Sequence, residues 1–290
     1  QKRGASQKAV MAYRRILSVQ DISCVGQCSL TAALPILSVC GLETAVLPTA
    51  VLSTHTGGRF AGSGYTFRDL SDDIPAICAH WRREGIRFSA VCTGYLGSPR
   101  QVADVLALME DLLLPGGVRI VDPAMADGGR LYAGLPEELV PAMARLAFSA
   151  DVILPNLTEA ALLTGLPYRK VCEEAYAREL TDALLARGAK TVVLTGVRRD
   201  DQTTGVAVRT PDAFQLYTHA RVERVCHGTG DIFTAAFTGA YLRGQSAFEA
   251  ARLAADFTLE CIRKTMDDPE HWYGVKFELA LPWLMRRLGE

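Results

Sequence analysis

No apolar run in this chain reaches the roughly 18–20 residues that cross a bilayer, because Gly, Pro or a polar side chain interrupts each one. The first fifteen residues are basic and lack the apolar core of a signal peptide, so a cytoplasmic location is expected. Met11 reads as a natural initiator, residues 1–14 as a tail, and residues 15–290 as a single domain. No sign of charge dominates: 31 Lys and Arg stand against 32 Asp and Glu, for a formal net charge of −1. Basic residues cluster only as pairs such as Arg82-Arg83 and Arg286-Arg287, which excludes a footprint for nucleic-acid phosphates. Eight cysteines are present without a CxxC pair, which argues against structural zinc. Cys24 and Cys28, four apart beside glycine, read as packed thiols, with metal ligation as the alternative. There is no GxGxxG, no Walker A sequence, no protein-kinase glycine loop, no linker and no internal repeat.

What is present is an alternation of short β-branched runs with longer helical patterns. Strands are expected at 16–19, 44–48, 89–93, 118–121, 151–154 and 191–194, with a hairpin pair at 206–209 and 214–219. Helices are expected at 30–40, 73–84, 100–114, 157–164, 173–187, 231–243 and 247–265. The fold class is therefore α/β: a mainly parallel central sheet with helices on both faces, and a small flap from Leu47 to Thr66 over the site. In such folds ligands gather beyond the carboxyl ends of the strands. Those ends carry Asp21, Thr54-His55-Thr56-Gly57, Thr93-Gly94-Tyr95, Asp122, Asn156, Thr195-Gly196 and Gly228-Thr229-Gly230-Asp231.

Gly228-Thr229-Gly230-Asp231 runs directly into a helical pattern. Two glycines allow a tight backbone approach, and N–H groups at a helix start favour an anion. An acid there is out of place beside a bound phosphate unless Asp231 is a general base for a hydroxyl, while Gly228, Thr229 and Gly230 stabilise charge on a phosphoryl group in transfer. The alternative is a turn with Asp231 as a capping acid. Asn156-Leu157-Thr158-Glu159 reads either as a capping box or as a site where Glu159 holds Mg²⁺ through water. Asp122 and Asp127 read either as turn-forming acids or as groups that orient metal and phosphates.

These segments, with Ser53-Thr54-His55-Thr56-Gly57, Val121-Asp122-Pro123 and Thr191 to Thr195, occur in the order found in pyridoxal kinases of the ribokinase-like superfamily. The chain resembles them from about Arg15 to Thr265. The resemblance implies an ATP-dependent kinase for the 5′-hydroxymethyl group of vitamin B6, with Asp231 as base and Gly228, Thr229 and Gly230 as anion hole. It further implies that Asn156, Glu159, Asp122 and Asp127 surround Mg-ATP and any activating monovalent cation. Thr195 and Tyr132 would line the nucleotide side. Tyr95 would lie against the pyridine ring, with His55 and Thr56 nearby and Asp21 at the ring's polar edge. A homodimer is expected by family and by base rate.

The chain departs from the family pattern in three places. Asp21 stands where Ser is usual, Leu52 where an aromatic is often found, and Leu154 where a hydroxyl residue precedes Pro155-Asn156. An acidic Asp21 facing a protonated pyridine or amine predicts a preference for pyridoxamine. The competing expectations are a hydroxymethylpyrimidine kinase with the same fold and chemistry, and a non-catalytic ligand-binding relative.

Overall fold

A computed structural model describes residues 14–289 except Arg199 and Val225. The expected tail over 1–14 thus lies outside the described residues save Arg14. That residue is tied to the fold, its guanidinium donating to the Leu242 carbonyl at 2.9 Å.

The chain begins with β1 (Arg15–Ser23), α1 (Leu30–Val39), β2 (Glu43–Leu52) and β3 (Phe67–Asp69). Next come α2 (Ile74–Arg83), β4 (Phe88–Thr93), α3 (Pro99–Leu112), β5 (Leu113–Val121), and a two-residue hairpin of β6 (Ala126–Asp127) and β7 (Arg130–Leu131). The second half runs α4 (Leu139–Phe148), β8 (Val152–Ile153), α5 (Leu157–Thr164), α6 (Glu174–Ala186), β9 (Val192–Val197), β10 (Thr203–Arg209), β11 (Phe214–Ala220), α7 (Thr229–Leu242), α8 (Ala247–Arg263) and α9 (Leu281–Leu288).

Nine strands form one sheet in the order β11-β10-β9-β8-β5-β4-β1-β2-β3. The six from β2 across to β9 are mutually parallel, and antiparallel strands close both edges. Each face carries its own core. In β9, Val192 and Leu194 pack into one cluster with α3, α4 and α6, while Val193 joins the other with α1, α7 and α8. Burial of both faces explains why the parallel strands read as continuous apolar runs. From β1 the chain crosses to β2 on one side and later to β4 on the other. That reversal opens the crevice beyond the carboxyl ends of β1 and β4.

Several expectations need correction. The flap is narrower than 47–66, because Leu47 to Leu52 lie in β2, paired between β1 and the edge strand β3. What remains is the connection 53–66 leading into β3. Asp21 is not beyond the first strand but inside β1, where the pairing with β2 slips between Gln20 and Ile22. Thr195 likewise lies inside β9, which continues to Val197. β3, the β6–β7 hairpin, α4 and α9 had no counterpart in the periodicity. The strands are two or three residues long, and prolines 141 and 282 obscure the helices.

Candidate active site

α7 begins at the Gly228 cap, which has φ 76°, and Asp231 lies in its first turn. A Cβ on Gly228 would sit 2.4 Å from the Gln27 carbonyl oxygen, so the loop after β1 presses directly on this turn and only glycine fits. At Gly230 a Cβ would meet nothing within 4 Å. The helix start therefore opens onto free space on the side where an anion would sit.

Burial, with the neighbouring Asp21 charge adding to it, pushes the Asp231 carboxyl up to about 6. The Ser29 backbone amide lies near Asp231 and lowers that pKa in part. Asp122, directly after β5, is 8% exposed and accepts from the Thr234 hydroxyl at 2.6 Å. Burial first, then the Asp231 charge, raise Asp122 to about 7.

Glu159 is 2% exposed. One of its oxygens accepts from the amides of Met125 and Ala126 at 3.1 and 3.4 Å, and the other accepts from the Asn156 amide at 2.9 Å. Burial and the Asp122 charge raise its pKa. The capping box forms in full: Asn156 Oδ1 accepts from the amides of Thr158 and Glu159, and Nδ2 donates to the Ala126 carbonyl at 2.7 Å. Both residues thus fasten the β6–β7 hairpin to the start of α5. Asp127 is exposed and accepts from the Gly128 amide in that hairpin's turn. Tyr132 keeps an exposed edge, while its phenol pKa is raised by burial and then by the charges of Glu159, Asp122, Asp231 and Asp127. The Thr195 amide donates to the Pro155 carbonyl at 3.0 Å, which brings β9 alongside the Asn156 turn.

On the other side of Asp231, Tyr95 is half-buried, and burial followed by the charges of Asp21 and Asp69 pushes its phenol to about 12. His55 is 6% exposed and has both ring nitrogens engaged. Nδ1 accepts from the Gly57 amide at 3.0 Å, so Nε2 carries the proton and donates to the Tyr273 carbonyl at 2.8 Å. Its pKa is lowered by burial, and its ring lies 4.9 Å from that of His227, next to Gly228. His55 therefore fastens the 53–57 turn beside the helix start and has no ring nitrogen left for a ligand. Thr56 is exposed. Asp21 gives both carboxylate oxygens to serine hydroxyls, Ser29 at 2.5 Å and Ser23 at 3.0 Å.

Of the anticipated residues, Asp21, Asp122 and Tyr132 lie within the field of the Asp231 charge, Asn156, Glu159 and Thr195 are tied to one another's turns, and His55 lies beside His227 next to Gly228. Sequence reading missed Ser29, Thr234 and His227. Thr234 follows Asp231 by three positions and so shares its helical face; that spacing was the available signal. Ser29 precedes an obvious helix and looks like a cap, but its hydroxyl makes no capping bond and turns to Asp21 instead.

Among the described residues, no group of three or more His, Cys, Asp or Glu side chains could hold a metal alone. Nor does any ion pair between described residues involve Asp21, Asp122, Glu159 or Asp231. Three buried acids and a half-buried one, none ion-paired among the described residues, suit Mg²⁺, which takes one or two carboxylates and completes its shell with water and phosphate oxygens.

Residues 48–274 match the phosphomethylpyrimidine kinase family. The chain is 32% identical over 263 residues to the pyridoxine/pyridoxal/pyridoxamine kinase of Bordetella bronchiseptica, a match covering 87% of this chain and 89% of that one. This chain belongs to the pyridoxal and phosphomethylpyrimidine kinases of the ribokinase-like superfamily. Its backbone agrees with a Bacteroides thetaiotaomicron protein, provisionally named a phosphomethylpyrimidine kinase and solved with pyridoxal. The TM-score there is 0.88 at 36% identity, covering 94% of this chain and 96% of that one. Pyridoxal kinase from Lactobacillus plantarum gives a TM-score of 0.86 at 32% identity, covering 94% and 97%. The family match starts at Pro48, which leaves Asp21 and Ser29 outside it.

Proposed function

We propose that this chain transfers the terminal phosphoryl group of ATP to the 5′-hydroxymethyl group of pyridoxal, pyridoxamine or pyridoxine. The observation that carries this reading is Asp231 in the first turn of α7, raised to about 6 and set beside an amide turn that is open at Gly230. A carboxylate with that pKa is ionised at neutral pH and still basic enough to accept the hydroxyl proton as the new O–P bond forms. The amides of Gly228, Thr229 and Gly230 face the charge that accumulates on the phosphoryl oxygens, and the helix start adds its dipole.

On the nucleotide side, Asp122 is the carboxylate best suited to hold Mg²⁺, since both Glu159 oxygens already serve backbone amides. When bound, Mg²⁺ neutralises the phosphates and so offsets the acids around them. Asn156 and Glu159 shape that side by holding the hairpin in place, with Asp127, Thr195, Tyr132 and any monovalent cation at its edge. On the acceptor side, Tyr95 offers a ring face to a flat heteroaromatic substrate, with His55 and Thr56 forming the adjoining turn. All eight cysteines are free, which agrees with a reducing compartment, and no helix among the described residues is long and apolar enough to cross a membrane. We place the enzyme in the cytoplasm as a two-fold dimer.

A hydroxymethylpyrimidine acceptor is the second reading, favoured by the family match and by the name of the Bacteroides protein. Following ADP release with each of the three vitamers and with hydroxymethylpyrimidine decides between them. The proposed function requires the highest kcat/KM with a vitamer, and a loss of about 10²–10⁴-fold in kcat for Asp231→Ala. Higher kcat/KM for the pyrimidine would select the second reading, and near-normal kcat in Asp231→Ala would remove Asp231 as base.

A further inference from the structure

Asp21 was expected to meet the substrate ring, yet the structure gives it other work. The side chain is 5% exposed, and its two oxygens accept from the hydroxyls of Ser29 at 2.5 Å and Ser23 at 3.0 Å. Ser29 is one of two non-glycine residues with positive φ among those described, at φ 52° and ψ −132°; the other is Gln27, at φ 54°. An L-residue keeps such a conformation only when its surroundings hold it there. Here the hold is Asp21: the Ser29 hydroxyl makes no cap bond to α1 and is drawn to the Asp21 carboxylate instead.

In that conformation the Ser29 backbone amide lies near enough to Asp231 to lower its carboxyl pKa, against the larger rise that burial causes. The same short loop meets the anion hole from behind, since the Gln27 carbonyl lies 2.4 Å from where a Cβ on Gly228 would be. One buried carboxylate in β1 therefore controls the backbone that touches both catalytic elements.

We propose that Asp21 is a positioning residue which, by gripping the Ser29 hydroxyl, holds the 27–29 turn against Gly228 and so fixes the helix start that carries Asp231. The inference rests on Asp231 acting as the base. It does not depend on which acceptor the enzyme prefers.

The geometry separates this role from a substrate contact. A group that touches the ring changes KM and the ranking of the vitamers. A group that aims the base changes kcat for every acceptor alike, because misplacement of a catalytic atom affects the chemical step.

Steady-state kinetics of Asp21→Ala, Ser29→Ala, the double variant and Ser23→Ala, with pyridoxal, pyridoxamine and pyridoxine, test it. Asp21→Ala and Ser29→Ala should each lower kcat by up to about 100-fold. The loss should be equal across the three vitamers, with KM kept within about twofold. The double variant should be no worse than the poorer single, because both break one link. Ser23→Ala, which removes the other hydroxyl from Asp21, should keep wild-type kcat. A KM increase confined to one vitamer, additive losses, or an equal loss in Ser23→Ala would overturn the proposal. If Asp21→Ala does not fold, Ser29→Ala carries the test alone, since it keeps the backbone N–H and removes only the anchor. Should wild type prefer hydroxymethylpyrimidine, the same comparison on that substrate still judges Asp21 while the B6 reading fails separately.

Discussion

The Thr234 hydroxyl donates to the Asp122 carboxylate at 2.6 Å across 112 residues of sequence. Thr234 lies one turn beyond Asp231 on the same face of α7. This bond therefore presses the face that bears Asp231 against the end of β5, and it brings the buried Asp122 and the half-buried Asp231 into each other's field.

That proximity has a cost in stability. Asp122 rises from an ordinary 3.8 to about 7 through burial and then the Asp231 charge. An acid with a raised folded pKa contributes stability below its unfolded value and loses it as pH climbs through the folded one. Each tenfold change in proton affinity between the two states is worth about 1.4 kcal/mol. Without ligands and in a chelator, the Tm should fall between pH 4 and pH 8. In Asp122→Asn that fall should be distinctly shallower, the Thr234 bond being kept by the amide oxygen. Thermal melts across this range check it, and an unchanged slope in the variant would show that Asp122 is not a strained acid.

The proposed base, Asp231, should set the acid side of activity. Asp231 at about 6 must be ionised to accept a proton, so kcat/KM should rise with pH and level off above 6. Asp231→Asn should lose this limb together with its activity, while Tyr95→Phe should keep the limb in place. A pH profile of initial rates is the measurement.

The two glycines of the anion hole should respond differently to one methyl group. Gly228→Ala puts a Cβ 2.4 Å from a backbone oxygen at φ 76°, which costs at least about 1–2 kcal/mol in conformation alone, so both Tm and kcat should drop. Gly230→Ala meets nothing within 4 Å and should melt like wild type. Its methyl would occupy the space proposed for the phosphoryl group and should lower kcat by about 10²-fold or more. Equal Tm losses in the two variants would contradict the arrangement.

His55 fastens the 53–66 connection through Gly57 and Tyr273. Removing it leaves two polar backbone groups without partners, at about 1–3 kcal/mol each where they are buried. His55→Ala should therefore be cut faster within 53–66 in limited proteolysis and show a higher KM for the acceptor. Wild-type cleavage rates would mean that the connection is held elsewhere.

Much of the fold was legible because the parallel strands are buried on both faces. Val192-Val193-Leu194 must be apolar throughout, and the helices between the strands repeat at their own period. The short pieces escaped for the opposite reason. β6 and β7 are two residues each, too brief for any period, and the turn after Asp127 was read either as a turn or as a metal- and phosphate-orienting site, with no hairpin around it.

At the candidate site, the sequence pointed to the groups proposed to do the chemistry and left their partners open. Asn-x-x-Glu was legible as a capping box or as a nucleotide site, and the capping box forms in full. Asp21 was legible as an acid at a strand end, and its partner proved to be Ser29.

By itself, then, the sequence determined the doubly covered parallel sheet and pointed to Asp231, behind its glycines, as the candidate base. Each of these follows from local pattern and from rules of chain topology. Only the tertiary structure decided that Ser29, Thr234 and His55 hold the candidate site in place. Their roles come from contacts between segments distant in sequence, 112 residues apart for Thr234 and Asp122, and from a backbone turned to positive φ at Ser29. No local pattern carries either, because both arise only when the sheet brings those strand ends together.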